Sequence, residues 1–403
     1  MAWALGMMSY SRILIGTGGK RSVLRTFGVS LVCLLIVARA SGQAVSAQKP
    51  QMAEDVFKNV QVLRGIPVDE FMGTMGFFAA SLGLNCIDCH VAESLDNWAR
   101  FGDDTPRKIT ARRMVLMVRA LNQTNFGGKP TVTCYSCHRG VNQPEGMPSL
   151  AEQYGTPPPE DPDRIQIRKK SAAGPSAQQL LDRYIQAVGG AQQLAKVTSF
   201  AAKGTYAGYD SDGVKVPVEV FAKAPDQLTT VVHTRLGNKT TTYDGHSGWI
   251  AANDEPVPLI ELNGGRLEGS SVDALLCFPG GIKQELSNWQ SGFPEVDVDG
   301  HALQVIEGST ATGFQVKLYF DARSGLLVRQ VRYLKTVVGV NPMHIAYGDY
   351  RLVAGVKMPF RWTVTWTDGQ STTQLTEIRA NVPIEAATFS KPTPAAQPKF
   401  ATP

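Results

Sequence analysis

Two copies of the pattern C-x-x-C-H constrain this 403-residue chain more than any other feature of its sequence. The copies are Cys86-Ile87-Asp88-Cys89-His90 and Cys134-Tyr135-Ser136-Cys137-His138. Two thiols three positions apart share one helical turn, where they can bond to the two vinyl groups of one porphyrin while the next histidine faces the iron. The pattern therefore predicts two covalently bound haem c groups, with His90 and His138 as iron ligands.

Two other uses of paired cysteines compete with haem attachment. Four cysteines in two pairs can bind zinc, and a single C-x-x-C can act as a redox dithiol. Neither explains why a histidine directly follows both pairs in a chain with only six histidines. Haem attachment is therefore the favoured interpretation.

Methionines before each motif are candidates for the sixth iron ligand. Met72 and Met75 precede the first motif, and Met114 and Met117 precede the second. In a helix each pair is spaced i, i+3 and lies on one face, where one thioether could reach an iron. Methionine on a helical face is as often core filler, so the spacing leaves both interpretations open.

The first 47 residues carry the entire positive excess of the chain. They contain five basic residues and no acidic one, whereas the rest is balanced, so the net charge of +5 does not indicate a nucleic-acid partner. A basic stretch, an apolar run over 27–38 and small residues at Ala38 and Ala40 predict a signal peptide over 1–40, with a second cleavage option after Ala47. A retained anchor would need about 20 apolar residues. We therefore expect export to the periplasm, with membrane association as an alternative.

The remainder divides by composition into four parts. Short helices and loops are expected over 50–150, a proline-rich and charged linker over 151–175, and a disordered tail over 391–403. Between them, 176–390 begins with an amphipathic helix and continues with segments of strand character. The predicted strands are 200–206, 214–221, 228–233, 248–251, 314–320, 326–333 and 360–367. The segment 314–320 alternates as a half-buried antiparallel strand would.

The first part resembles the cytochrome c subunit of bacterial photosynthetic reaction centres over about residues 54–145. The resemblance rests on 56–63, on Glu70-Phe71-x-x-Thr74-Met75, on Ala111-Arg112-Arg113-Met114 and on 132–140. It implies that Met75 and His90 ligate the first iron, that Met114 and His138 ligate the second, and that redox proteins, soluble or membrane-bound, are the partners. Members usually hold four haems, whereas this chain has two motifs and resembles half of that subunit.

Arginines near the second motif are candidates for pairing with haem propionates, since a guanidinium fork matches a carboxylate. They are Arg112, Arg113, Arg119 and Arg139. A solvated helix face is the alternative for each.

The C-terminal part is similar in pattern to LolA-like lipoprotein-sorting carriers. The similarity rests on Tyr243-Asp244-Gly245-x-x-Gly248-Trp249, on 318–327 and on Met358-Pro359-Phe360. It implies a half-barrel whose concave face could hold a lipid or lipoprotein; the alternative is that the sheet packs only on its own helices.

Taken together, these patterns predict a multidomain protein: a small all-α dihaem c-type domain followed by an α+β domain with a curved antiparallel sheet. The expected function is electron transfer by the haems rather than enzymatic catalysis. The C-terminal part shows no catalytic constellation, because its four histidines lack acids or nucleophiles at useful spacing. A dihaem peroxidase, a redox sensor and a lipid or lipoprotein carrier are the alternatives.

Overall fold

A computed structural model of the chain describes residues 49–156, 174–253, 257–293, 296–298 and 301–394. The predicted signal peptide, most of the linker and most of the tail lie outside these ranges. None of the helices within the described ranges combines the length and apolarity needed to cross a bilayer.

The residues that carry both motifs are helical. Their helices are α1 Ala53–Val56, α2 Val68–Leu82, α3 Cys86–Cys89, α4 Pro106–Asn125, α5 Cys134–His138 and α6 Leu150–Tyr154. Helix α4 begins where the Thr105 hydroxyl accepts a hydrogen bond from the Lys108 N–H and where Pro106 occupies the first turn. Helix α2 ends at Gly83, whose φ of 63° is a left-handed conformation that glycine adopts without strain. The all-α prediction for this part is confirmed.

The C-terminal part combines helices with an antiparallel sheet. The helices are α7 Ala177–Ala187, α8 Ala191–Leu194, α9 Gly264–Cys277 and α10 Ile282–Glu285. The strands are β1 Ser199–Gly208, β2 Val216–Lys223, β3 Gln227–Thr234, β4 Gly237–Tyr243, β5 Gly248–Ala252, β6 Leu259–Glu261, β7 Ser287–Gln290, β8 Val296–Val298, β9 His301–Ser309, β10 Gln315–Asp321, β11 Leu327–Thr336, β12 Gly339–Val353, β13 Val356–Trp366 and β14 Gly369–Ala380.

The strands form one sheet in the order β6-β5-β4-β3-β2-β1-β14-β13-β12-β11-β10-β9-β7, with β8 on β9. Sequence neighbours pair almost throughout, and the pairing of β1 with β14 joins the first strand to the last. Helix α9 contacts β3 and β4 as well as β11. In a flat sheet β4 and β11 would lie about 34 Å apart, whereas a 14-residue helix is about 21 Å long. The sheet therefore curves around α9, as the predicted curved antiparallel sheet requires.

The inner face of the curved sheet is covered by the chain's own helices. Leu181 and Tyr184 of α7 are buried in one apolar cluster with Val218 of β2 and Phe320 of β10. The ring centroids of Tyr184 and Phe320 lie 5.4 Å apart. Helices α9 and α10 contribute Val272 and Ile282 to the same cluster and so close the inner face with apolar side chains.

All seven predicted strand segments coincide with strands, but the prediction that 314–320 is half-buried was wrong. Strand β10 is buried on both faces: Lys317 and Tyr319, expected to face solvent, have no exposed surface. Tyr319 packs in a second cluster with Leu303, Val331 and Tyr333 on the outer side of the sheet. The alternation reflected two different buried environments, not a buried and a solvated face.

Candidate haem-binding sites

The first motif forms a single helical turn that presents two free thiols. Asn85 caps α3, since its side chain accepts a hydrogen bond from the Asp88 N–H and the Asp88 carboxylate accepts one from the Asn85 N–H. Cys86 is exposed and Cys89 is partly exposed, and neither forms a disulfide. Burial raises the pKa of both thiols, so both are protonated near neutral pH.

In His90, the histidine of the first motif, one ring nitrogen is free to bind a metal. Its Nδ1 lies 3.1 Å from the carbonyl oxygen of Phe101. A carbonyl only accepts hydrogen bonds, so Nδ1 carries the proton and Nε2 keeps its lone pair. Burial and the neighbouring Lys108 lower the pKa of His90, which favours this neutral form. His90 therefore has the tautomer that a metal ligand needs.

The second motif repeats this arrangement with different side chains. The Ser136 hydroxyl caps α5 by accepting a hydrogen bond from the Thr133 N–H. Nδ1 of His138 lies 3.1 Å from the carbonyl oxygen of Val141 and therefore also leaves Nε2 free. Cys134 and Cys137 are free thiols on one turn, as in the first motif.

The two cysteine pairs lie on separate helical turns. Neither C-x-x-C is closed into a disulfide. Among the residues that the structure describes, no three His, Cys, Asp or Glu side chains gather into a metal-binding group.

The two methionines that are candidate ligands lie on different helices, and their side chains differ in exposure. Met75 of α2 is half-buried and packs in an apolar cluster that also includes Phe71, Phe78 and Cys134. Met114 of α4 is 37% exposed. Helix α2 contacts α5, and α4 contacts both α3 and α5, so both helices adjoin the attachment turns.

Helix α4 has an uncovered apolar face. Ile109, Met114, Leu116, Met117 and Leu121 are all exposed. Val115 and Asn122 are buried on the opposite side. A helix of a globular protein normally turns its apolar face inward, so an exposed apolar face beside both attachment turns is a surface that a porphyrin could cover.

One of the arginines considered for propionates already has a partner. Nη1 of Arg112 lies 2.7 Å from the Asp104 carboxylate, and the side chain is 15% exposed. Arg113, Arg119 and Arg139 are exposed.

No sequence pattern indicated that the C-terminal sheet would hold helix α2. Nδ2 of Asn341 in β12 donates a hydrogen bond of 2.8 Å to the carbonyl oxygen of Gly73, one turn of α2 from Phe77. Phe77 lies against Gly339, so closely that a Cβ there would overlap its ring. Val338, between β11 and β12, joins the same apolar cluster as Met75. Helix α2 is therefore fixed by the β11–β12 hairpin.

Comparison with known proteins finds relatives of the helical part. Residues 35–183 match the family model described as photosynthetic reaction centre cytochrome C subunit. The chain is 40% identical over 121 residues to the photosynthetic reaction center cytochrome c subunit of Thermochromatium tepidum, covering 26% of this chain and 29% of that protein. It is 31% identical over 120 residues to cytochrome c-554 of Chloroflexus aurantiacus, covering 28% and 26%. The chain thus spans less than a third of the length of these relatives.

Solved structures align with the remaining part. A LolA superfamily protein from Nitrosomonas europaea covers 54% of this chain and 99% of its own, at 13% identity and a TM-score of 0.38. A DUF1329 family protein from Desulfovibrio piger covers 54% and 98%, at 11% identity and the same TM-score.

Proposed function

With residues 35–183 related to the reaction-centre cytochrome c subunit, we propose that the chain carries electrons between redox proteins through two covalently attached haems c. The observation that carries this proposal is repeated at both motifs. Each pairs two free thiols on one turn with a histidine whose Nδ1 is bound to a carbonyl and whose Nε2 is free. Such a histidine is oriented for ligation before any metal arrives.

Each residue has a definite part in this proposal. The thiols of Cys86 and Cys89 would hold one porphyrin through thioether bonds to its two vinyl groups, and those of Cys134 and Cys137 would hold a second in the same way. His90 and His138 would each supply an Nε2 lone pair to iron.

Methionine sulfur completes the two sites. Following the resemblance, Met75 pairs with His90 and Met114 with His138. A bound haem supplies a one-electron couple, and methionine ligation raises its reduction potential relative to two histidines.

The cellular setting follows from the predicted leader. We propose export to the periplasm after cleavage at Ala40 or Ala47, where soluble or membrane-bound electron donors and acceptors would be the partners. We also propose that residues 50–150 form the dihaem domain and that residues 176–390 form the sheet domain. Helices α7, α9 and α10 contribute buried apolar side chains to the cluster on the inner face of the sheet, so we do not propose a lipid or lipoprotein ligand.

The test is haem quantitation on the mature protein made together with haem-attachment machinery. We expect two haems per chain, low-spin spectra and a sulfur-to-iron charge-transfer band in magnetic circular dichroism. High-spin iron would instead favour the peroxidase or sensor alternatives, and fewer than two haems would overturn the proposal.

Cysteine variants sharpen the test. The double variant Cys86→Ala/Cys89→Ala should retain one haem. Cys277→Ala is the matched control, since this lone cysteine lies in α9, where burial raises its pKa to about 12. It should retain two haems.

A further inference from the structure

The hairpin between β13 and β14 reaches the helix that carries Met75. Asp368 lies in the turn between the two strands. A Cβ placed on Gly76 would lie 2.9 Å from each of the two carboxylate oxygens of Asp368. The carboxylate therefore lies directly on α2, at the residue that follows Met75, although 292 positions of sequence separate Gly76 from Asp368.

The same carboxylate is close to the first attachment turn. After burial, the charge of Asp368 is the largest cause that raises the pKa of Cys86. Asp368 thus adjoins two elements of the first site: the helix with its proposed methionine ligand and the turn with its first thiol.

Asp368 is held in this position by residues of the sheet part. The Trp366 side chain donates a hydrogen bond to the carboxylate, and the positive charge of Arg266 in α9 acts on it. Burial raises the pKa of Asp368, while these two partners favour its ionised form. The Trp366 ring also leaves no room for a side chain at Gly369, which fixes the turn.

We propose that Asp368 is a positioning residue of the first haem site, a carboxylate that the C-terminal sheet supplies to lower the reduction potential of the haem attached at Cys86 and Cys89. A negative charge near an iron centre stabilises the oxidised form, which carries one more positive charge. The inference rests on the proposed function. In this inference the sheet acts on electron transfer through Asp368 and does not need to bind a ligand.

The first test is Asp368→Asn, which keeps the shape and removes the charge. The two potentials are measured by spectroelectrochemical titration of the dihaem protein. We expect one potential to rise and the other to stay unchanged. Glu377→Gln is the matched control: this partly exposed residue of β14 pairs with Lys203 and lies nine positions from Asp368, and we expect it to move neither potential. Two unchanged potentials in Asp368→Asn, or equal shifts of both, would overturn the inference.

A second variant tests the contact itself. Gly76→Ala places a methyl group at 2.9 Å from both oxygens and must displace the carboxylate. We expect the same haem to shift in the same direction, with the charge-transfer band of Met75 retained. In the double variant with Asp368→Asn the two shifts should not add, because both act through one carboxylate. Additive shifts would contradict the inference.

Failure of the inference and failure of the proposed function can be told apart. Fewer than two haems in the unsubstituted protein would remove the proposed function. Two haems whose reduction potentials do not change in Asp368→Asn would leave that function intact and would contradict only the role of Asp368.

Discussion

The carboxylate of Asp69 in α2 accepts a hydrogen bond of 2.6 Å from the backbone N–H of Asn263, the residue before α9. Asp69 is 2% exposed, and its other oxygen has no hydrogen-bond partner within the described residues. One buried carboxylate therefore joins the helix with the proposed methionine ligand to the helix inside the curved sheet. Together with the contacts of Phe77 and Asn341, it makes the haem-site helix part of the sheet's packing.

The Asp69 carboxylate predicts a pH dependence of stability. Burial raises the pKa of Asp69 above its usual 3.8, although the Asn263 N–H and Arg266 oppose this. The folded protein then holds this proton to a higher pH than the unfolded chain does. The stabilisation that the folded state gains by binding this proton more tightly is fully present below about pH 3.8. It is lost as the pH rises through the folded-state pKa of Asp69.

Asp69→Asn removes this titration and keeps an oxygen that can accept from Asn263. We expect the free energy of unfolding of the variant, relative to the unsubstituted protein, to increase across that pH window. Denaturant unfolding at a series of pH values measures the difference. Asp55→Asn, at an exposed position of α1, is the control for removing a carboxylate that is not buried. A flat difference for Asp69→Asn would contradict the prediction.

The proposed ligand assignment predicts which methionine substitutions remove an iron ligand. Met75→Leu and Met114→Leu should each remove about half of the sulfur-to-iron charge-transfer intensity, because leucine has the bulk of methionine without its sulfur. Magnetic circular dichroism of the oxidised protein measures this intensity. Met72→Leu and Met117→Leu are the matched controls on the same helices and should leave it unchanged. If a control loses intensity instead of its partner, the ligand assignment on that helix is wrong.

The contact between Phe77 and Gly339 predicts an effect of a glycine substitution on stability. A methyl group at Gly339 would overlap the Phe77 ring and push α2 away from the β11–β12 hairpin. Overpacking of this kind costs about 1–3 kcal/mol, so Gly339→Ala should lower the free energy of unfolding by that amount. Chemical denaturation measures it. Gly280→Ala is the control, since nothing lies within 4 Å of a Cβ there, and equal effects of the two variants would refute the packing argument.

The sequence alone determined the features that depend on neighbouring residues. Thiols three positions apart, with a histidine next to them, share one turn wherever the segment is helical, so both candidate attachment turns could be recognised. Alternation of apolar residues likewise located β1, β2, β3, β5, β10, β11 and β13. It missed the other strands, which are β4, β6, β7, β8, β9, β12 and β14; in β12 and β14 polar and apolar residues mix. It also missed α9, which begins Gly264-Gly265 and so carries little helix propensity.

Tertiary structure alone decided which distant residues meet. The pairing of β1 with β14 and the burial of Lys317 on the outer face of β10 depend on how the whole sheet curves and is covered. The contact of Asp368 with Gly76 joins two segments, and neither local sequence predicts that they meet. Local patterns reflect hydrogen bonds and side-chain directions within a few residues, whereas these contacts arise from long-range packing, which the order of residues along the chain does not display.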